Sequence, residues 1–407
     1  MAGQPVDPKT GHMKQNPTRD TRPVVIVGGG NAGVSIAARL RRRGVADVII
    51  VEPRDEHVYA PLQSHIAGGV AVRRHVSRPQ ADVTPRGVTW VRDRVREVLP
   101  DADTVVLSSG ERIPYGRLII AAGIEHRWNH IPGLEEGLRS PSIVSNYTLP
   151  LANQASTVLA EVTSGTVVFT QAAEPASCAG VAQKPMYLAC DRWRKSGRLD
   201  AIRVVFITPE RTLFGIPAVA SELSRNLTEY GIEAHYDTEV VAVRADEHEL
   251  DIRQGGQTST VRFDVLHAAP PHAAATWITA SGLGDADGFV DVDPETLRHR
   301  RWGNIWALGD AAPVTPIRSG GAIRSQSQVI AKALTTPQKN ASYDGYSETP
   351  FTVTRRTAVF AEFDRAGALK PSIPFWKSLY RERRFTYVMD RWVLPWVYWN
   401  LILTGRA

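Results

Sequence analysis

Pro23-Val-Val-Ile-Val-Gly-Gly-Gly-Asn-Ala-Gly33 is followed by a helically spaced segment, 34–43, and then by Val48-Ile-Ile-Val-Glu52. A short unbroken apolar run ending in glycine reads as a strand buried on both faces of a parallel sheet. Gly28, Gly30 and Gly33 give the G-x-G-x-x-G spacing at the turn into a helix. The first glycine lets the chain reverse, the second leaves bare backbone where a pyrophosphate comes close, and the third lets helix pack on strand. The phosphates then meet the amides at the positive dipole end of the helix expected over 34–43. Glu52, closing the second strand, is placed to accept hydrogen bonds from an adenosine ribose. Glycines alone would also fit a plain Gly-rich turn. With strand, helix and acid around them they predict a dinucleotide site, without yet choosing between FAD and NAD.

A chain of 407 residues exceeds one small core and predicts two or three domains. Its 22% charged and 43% hydrophobic residues are ordinary for a soluble globular protein. The net charge of +6, mostly arginine, suits nucleic acid, anionic lipid or an acidic substrate. No Lys/Arg block with interleaved aromatics occurs, so nucleic acid is not an expected partner. Two cysteines, Cys178 and Cys190, cannot make a disulfide framework, and no Cys/His spacing matches a zinc site. No metal is expected, and His267 reads as packing beside the second domain's last strand. Residues 1–22 are polar with no apolar h-region and read as a disordered lead-in, not a secretory signal. No run reaches the roughly 18–20 apolar residues of a membrane span, so the protein is expected to stay inside the cell.

Residues 53–69 read as a loop, 88–98 as an alternating strand and 104–112 as a hairpin. Residues 115–123 form another buried strand, and its small-residue end at Gly123 lets a flat or phosphorylated ligand lie against the backbone. From about Ser145 the pattern restarts: strand 166–170, helix 185–195, strand 203–208, helix 216–230. The loop after its first strand, Gln171-Ala-Ala-Glu-Pro-Ala-Ser-Cys178-Ala-Gly180, lacks the glycine fingerprint. Either this is an ordinary loop on a degenerate nucleotide domain, or Cys178 occupies the place of a nicotinamide-binding turn. The residues leave both readings open.

Residues 301–310 read as a strand ending in Gly309-Asp310, and Gly320-Gly321-Ala322 opens a helix running to about Leu334. Such an aspartate binds a ribityl hydroxyl, and such a helix start stabilises negative charge on a flavin's pyrimidine end. This half of the site points to FAD. The tail carries Phe375, Trp376, Tyr380, Phe385, Tyr387, Trp392, Trp396, Tyr398 and Trp399, with Arg381, Arg383, Arg384 and Arg391 between them. Its apolar stretch, 393–403, is too short to span and suits a helix lying in a membrane interface, against a core helix or a dimer contact. The expected architecture is α/β, with two Rossmann-like domains and an aromatic-rich C-terminal segment. The expected bounds are 23–148 with 286–336 for the FAD domain, 149–285 for the second domain, and 337–407 for the aromatic-rich C-terminal region.

These stretches together resemble the sulfide:quinone oxidoreductases of the mitochondrial-type branch. The resemblance rests on Gly28 to Leu40, Ser77-Arg-Pro, Cys178-Ala-Gly-Val-Ala-Gln-Lys-Pro-Met-Tyr-Leu, Leu266-His-Ala-Ala-Pro-Pro, Asp291-Val-Asp-Pro-Glu-Thr-Leu, Tyr343-Asp-Gly-Tyr, Ala361-Glu-Phe-Asp and Tyr398-Trp-Asn. It implies FAD in the first domain, a second domain that has lost NAD, and a C-terminal quinone pocket on the membrane. Gly28, Gly30, Asn31, Ala32, Gly33, Glu52, Val95, Gly123, Asp310, Arg318, Gly320, Gly321 and Ala322 are then the implied cofactor-binding set. In such enzymes sulfide attacks a cystine disulfide; one cysteine keeps the persulfide, and the other, as thiolate, donates to the flavin. Cys178 matches the flavin-facing cysteine, in keeping with thiolate nucleophilicity in an electropositive site. The electrons leave to ubiquinone or menaquinone. A peripheral position on the cytoplasmic membrane face and a homodimer are further expectations.

This chain departs from the pattern at two places. Where the partner cysteine is expected, three residues after Tyr-Asp-Gly-Tyr, stands Thr349, which cannot hold a sulfane sulfur. Cys190, inside the predicted helix, is a poor substitute, since a disulfide needs Cα atoms within about 7 Å. Arg318 stands where relatives place a lysine, keeping the charge but fixing its geometry. Slow sulfide turnover is expected, with an external thiol or persulfide taking the missing cysteine's place by exchange. Two other readings remain: a type II NADH:quinone dehydrogenase, which would need the missing second glycine turn, and a non-catalytic flavoprotein sensing sulfur or redox state through Cys178.

Overall fold

The computed structural model describes residues 21–173, 179–315, 317–336, 338, 341–373, 376 and 378–407. The lead-in expected to be disordered lies outside them except for Thr21 and Arg22. The chain begins with β1 (Val24–Val27), α1 (Asn31–Arg42), β2 (Val48–Val51), β3 (Thr89–Val91) and β4 (Arg117–Ile120). It continues with β5 (Ile143–Val144), α2 (Leu149–Glu161), β6 (Gly165–Thr170), α3 (Ala179–Lys195), β7 (Ile202–Ile207), α4 (Pro217–Tyr230), β8 (Glu233–His235) and β9 (Val265–His267). Then come β10 (Ile305–Ala307), α5 (Gly320–Thr335), β11 (Ser347–Thr352) and β12 (Ala358–Phe363).

Two five-stranded parallel sheets result, ordered β10-β4-β1-β2-β3 and β5-β9-β6-β7-β8. β1 is apolar throughout because both its faces are covered, one by α1 and α5 and the other by residues of the 95–113 segment; no residue of β1 is more than 8% exposed. In the first sheet β2 lies on one side of β1 and β4 on the other, in registers Val24↔Val48 and Val24↔Arg117. Consecutive crossovers therefore diverge at β1, and the crevice at the carboxyl ends of β1 and β4 is the expected ligand position for such sheets.

Three expectations about elements are corrected. Residues 88–98 are not one strand: β3 belongs to the parallel sheet, whereas Val95–Leu99 starts an antiparallel meander with Thr104–Leu107 and Arg112–Pro114. Asp93 makes the break, accepting Arg94 N at 2.6 Å and Ser109 N at 3.1 Å. The helix expected over 185–195 starts at Ala179, not at Pro185. Proline removes the donor to the carbonyl four residues back; that carbonyl, Val181 O, is met instead by Asn146 Nδ2 at 3.0 Å. The strand expected over 301–310 is confined to β10, and Gly309, at φ +71°, turns the chain after it.

The tail is a helical run over 384–402 that alternates α and π turns. One face is core, with Tyr398, Trp399 and Ile402 packed on Tyr59, Leu62 and Ile66. The other exposes Phe385, Val388, Trp392 and Trp396, the last two more than half exposed. Phe375 lies outside the described residues.

Candidate active site

The glycine turn is shaped by contacts that only hydrogen permits. A Cβ on Gly28, which sits at φ +101°, would lie 2.4 Å from Ala121 O, and one on Gly33 would lie 1.8 Å from Gly28 O. These contacts close β1, β4 and α1 onto one another. Above Gly30 the space is open, the nearest atom to such a Cβ being an Arg54 nitrogen at 3.9 Å. The Gly29 peptide is pinned from behind: its N–H donates to Glu52 Oε2 at 2.8 Å, and its carbonyl meets Gln80 Nε2 at 3.1 Å and His57 Nδ1 at 3.0 Å. Neither Gln80 nor His57 carried any signal in the sequence, since both reach the turn only through the fold.

Glu52 is 2% exposed and also accepts from Arg54 N and Nε, at 2.9 and 2.8 Å. Burial alone would raise its pKa; the Arg54 hydrogen bond and charge, with Gly29 N, bring it below the usual value. The Arg54 side chain is 65% exposed and is the partner a ribose would displace. Val95 is buried in the core beneath the sheet, which leaves its backbone as the part able to meet a ligand. Gly123, at φ +71°, has open space around it, two residues beyond Ala121.

The second half-site comes to the same place because α1 and α5 run parallel. Arg39 Nε donates to Ser327 Oγ at 2.9 Å and Arg43 NH1 to Thr335 Oγ1 at 3.3 Å. At their starts, Asn31 Nδ2 is 3.6 Å from a Cβ built on Gly320, and Ala32 Cβ is 3.1 Å from one built on Gly309. Two positive helix ends thus sit side by side. Ser319 caps α5, its hydroxyl accepting from Ala322 N at 3.2 Å. Burial raises the Asp310 carboxyl, and the Arg318 guanidinium opposes that rise. Arg318 is 5% exposed and lies 4.3 Å above the Phe289 ring. His267 is buried over Phe169, and desolvation lowers it to about 4.

Cys178 lies outside the described residues. Two positions later in the sequence, Gly180 fits so closely that a Cβ there would be 2.9 Å from Pro350 O and 3.3 Å from Thr349 Cγ2. Thr349, fully buried, therefore packs on the first turn of α3. Cys190 is fully buried in the second domain's core, where desolvation pushes its thiol well up and makes it inert. Further along α3, Lys184 Nζ lies 3.3 Å from Asp390 Oδ2 of the C-terminal run. That carboxylate also accepts from Thr352 and lies 3.3 Å from His65 Nε2. Burial would raise Asp390, but Lys184, His65 and Thr352 hold it far below the usual range. Nothing in the sequence spacing joins 65, 184, 352 and 390. Among the described residues there is no group of three or more His, Cys, Asp or Glu arranged to hold a metal.

The pyridine nucleotide-disulphide oxidoreductase family matches residues 22–335, which defines the class. Mitochondrial sulfide:quinone oxidoreductase of Mus musculus is 33% identical over 94% of this chain and 86% of its own. That of Dictyostelium discoideum is 31% identical over the same shares. The sulfide:quinone oxidoreductase structure from Aquifex aeolicus superposes with a TM-score of 0.79 at 20% identity, covering 93% of this chain and 92% of that one. The chain belongs to the sulfide:quinone oxidoreductase family within that class, and it is an FAD-dependent oxidoreductase. The cradle fits the cofactor on its own geometry. Gly30 is bare, two helix N-termini converge, and among the described residues the buried Asn31 Oδ1 has no hydrogen-bond partner.

Proposed function

We propose that this flavoprotein carries electrons from sulfide, or from a low-molecular-weight thiol or persulfide, to ubiquinone or menaquinone at a membrane surface. Bound FAD supplies the two-electron acceptor. Gly28, Gly30 and Gly33, with the amides of Asn31, Ala32 and Gly33, hold its pyrophosphate, and Glu52, Val95 and Gly123 its adenosine half. Asp310, Arg318, Gly320, Gly321 and Ala322 hold the ribityl–flavin half. Cys178 is the nucleophilic thiol, and Arg318 supplies positive charge at the site.

The carrying observation is the contact of Thr349 with Gly180. The position matching the second cysteine is built against the turn that follows Cys178, yet bears a hydroxyl. The chain therefore keeps one sulfur position of two, and an external thiol completes the exchange. Support for the membrane contact comes from the exposed faces of Phe385, Val388, Trp392 and Trp396, with Val72 also exposed and Arg73, Arg74, Arg78 and Arg384 exposed nearby in sequence. Aromatics flanked by arginine suit a helix lying in the interface, and no helix among the described residues is long and apolar enough to cross a membrane.

Anaerobic titration of the FAD-loaded protein tests the donor. Sulfide alone should bleach the flavin slowly, and sulfide with a thiol or persulfide faster. If none of these donors bleaches it, the donor assignment fails; rapid bleaching by NADH would move the protein to the NADH dehydrogenases.

A further inference from the structure

Strand β11 carries a carboxylate that no motif requires. Glu348 N donates to Ser319 Oγ at 3.2 Å, and the Ser319 and Ser347 hydroxyls lie 3.0 Å apart, so the strand is stitched to the cap of α5. The Glu348 side chain lies on the helix's first turn: a Cβ built on Gly321 would be 2.5 Å from Glu348 Cδ. This is the turn assigned above to the flavin's pyrimidine end.

One hydroxyl stands between two carboxylates. Tyr346 donates to Glu362 Oε1 at 2.6 Å and lies 3.4 Å from Glu348 Oε2. Glu362, only 4% exposed, also accepts Ser372 N at 2.9 Å. Glu362 thus takes the shorter bond from Tyr346 and a backbone donor besides, and Glu348 is left with the longer bond. Burial, then the Glu362 charge, raise Glu348 to about 7; Arg324 and the Tyr346 hydroxyl oppose the rise, and Asp390 adds to it. The groups facing it are therefore Glu362 from β12, Tyr346 from the preceding loop, Arg324 from α5, Asp390 from the C-terminal run, and Tyr59, which feels the Glu348 charge in turn.

We propose that Glu348 is a proton-coupling residue of the flavin site, taking up a proton as the flavin takes up an electron pair. A carboxylate anion beside the ring opposes arriving electrons, and neutralising it removes that opposition. The pair comes from the thiolate donor. One proton from solvent goes to the ring and one to Glu348, and both leave with the pair when a quinone becomes a quinol. The inference rests on the placement of FAD described above.

The test uses photochemical reduction of the FAD-loaded protein, which needs neither sulfur donor nor quinone, so a failed sulfide titration leaves it intact. Spectroelectrochemical midpoint potentials of wild type and Glu348→Gln should coincide near pH 5.5. Near pH 8.5 the variant's potential should be higher, its pH slope smaller by up to one proton per electron pair. At pH 7.5, the infrared difference spectrum on reduction should gain a carboxylic-acid band in wild type that Glu348→Gln lacks. Should Glu348→Gln not hold FAD, Tyr346→Phe serves instead: loss of its hydroxyl should move the extra slope to higher pH. Identical slopes in wild type and variant, or a carboxyl band that survives the substitution, would overturn the proposal.

Discussion

The two Rossmann-like halves begin with the same strand–turn–helix unit and use it in opposite ways. After β1 the turn is backbone only, open above Gly30, with the start of α1 facing space that a phosphate can fill. After β6 the corresponding helix start is packed with protein. Gly180 meets Pro350 and Thr349, Gln183 Nε2 donates to Gln171 Oε1 at 3.1 Å and Leu213 O at 2.8 Å, and Lys184 is held by Asp390. An exposed helix start is an anion site; one whose neighbours are tied to side chains from elsewhere becomes a fixed platform for the residues around it. The second unit thus has its helix start occupied by protein where the first leaves it open.

The largest effect that would sharpen this contrast is at the first turn. Gly33→Val puts side-chain atoms into Gly28 O and should abolish flavin absorbance in the purified protein. Next, Asp390→Asn leaves Lys184 buried without its counter-charge and should cost about 3–5 kcal/mol in denaturant unfolding. Adding Lys184→Met should recover most of that loss.

Acid should act on the second half through His267. Its folded pKa, about 4, lies below the unfolded value, so the unfolded chain takes its proton first. Stability is then complete above about pH 6.5 and falls as pH drops from there to about 4, by roughly 3 kcal/mol for this one group. His267→Phe should remove that share of the slope in melts followed against pH. Gly180→Ala should cost about 1–3 kcal/mol through overpacking yet leave the protein yellow, unlike its counterpart at Gly33. The smallest effect is at the C-terminal face: Trp392→Ser with Trp396→Ser should weaken vesicle binding about tenfold, roughly 1.4 kcal/mol, with the flavin spectrum unchanged.

What the sequence made legible was local. The glycine turn, α1, β4, the start of α5 and the helical setting of Cys190 all follow from spacing within a few residues. The same local reasoning failed at Asp93, where two side-chain hydrogen bonds split an alternating run between two sheets. It failed again at Pro185, where Asn146 supplies the bond that proline forfeits. At the tail it could not separate a core helix from an exposed one, because one helical run is buried on one face and exposed on the other. The Lys184–Asp390–His65 cluster and the contact of Glu348 with Gly321 join segments far apart in the chain, and no periodicity announces them.

The most direct test of the account is to compare anaerobic flavin reduction by sulfide, without added thiol, in wild type and Thr349→Cys. A scaffold lacking only its second sulfur should bleach much faster once the cysteine is restored, and Cys178→Ser on that background should abolish the gain. Equal rates in wild type and Thr349→Cys, or a gain that survives loss of Cys178, would contradict it.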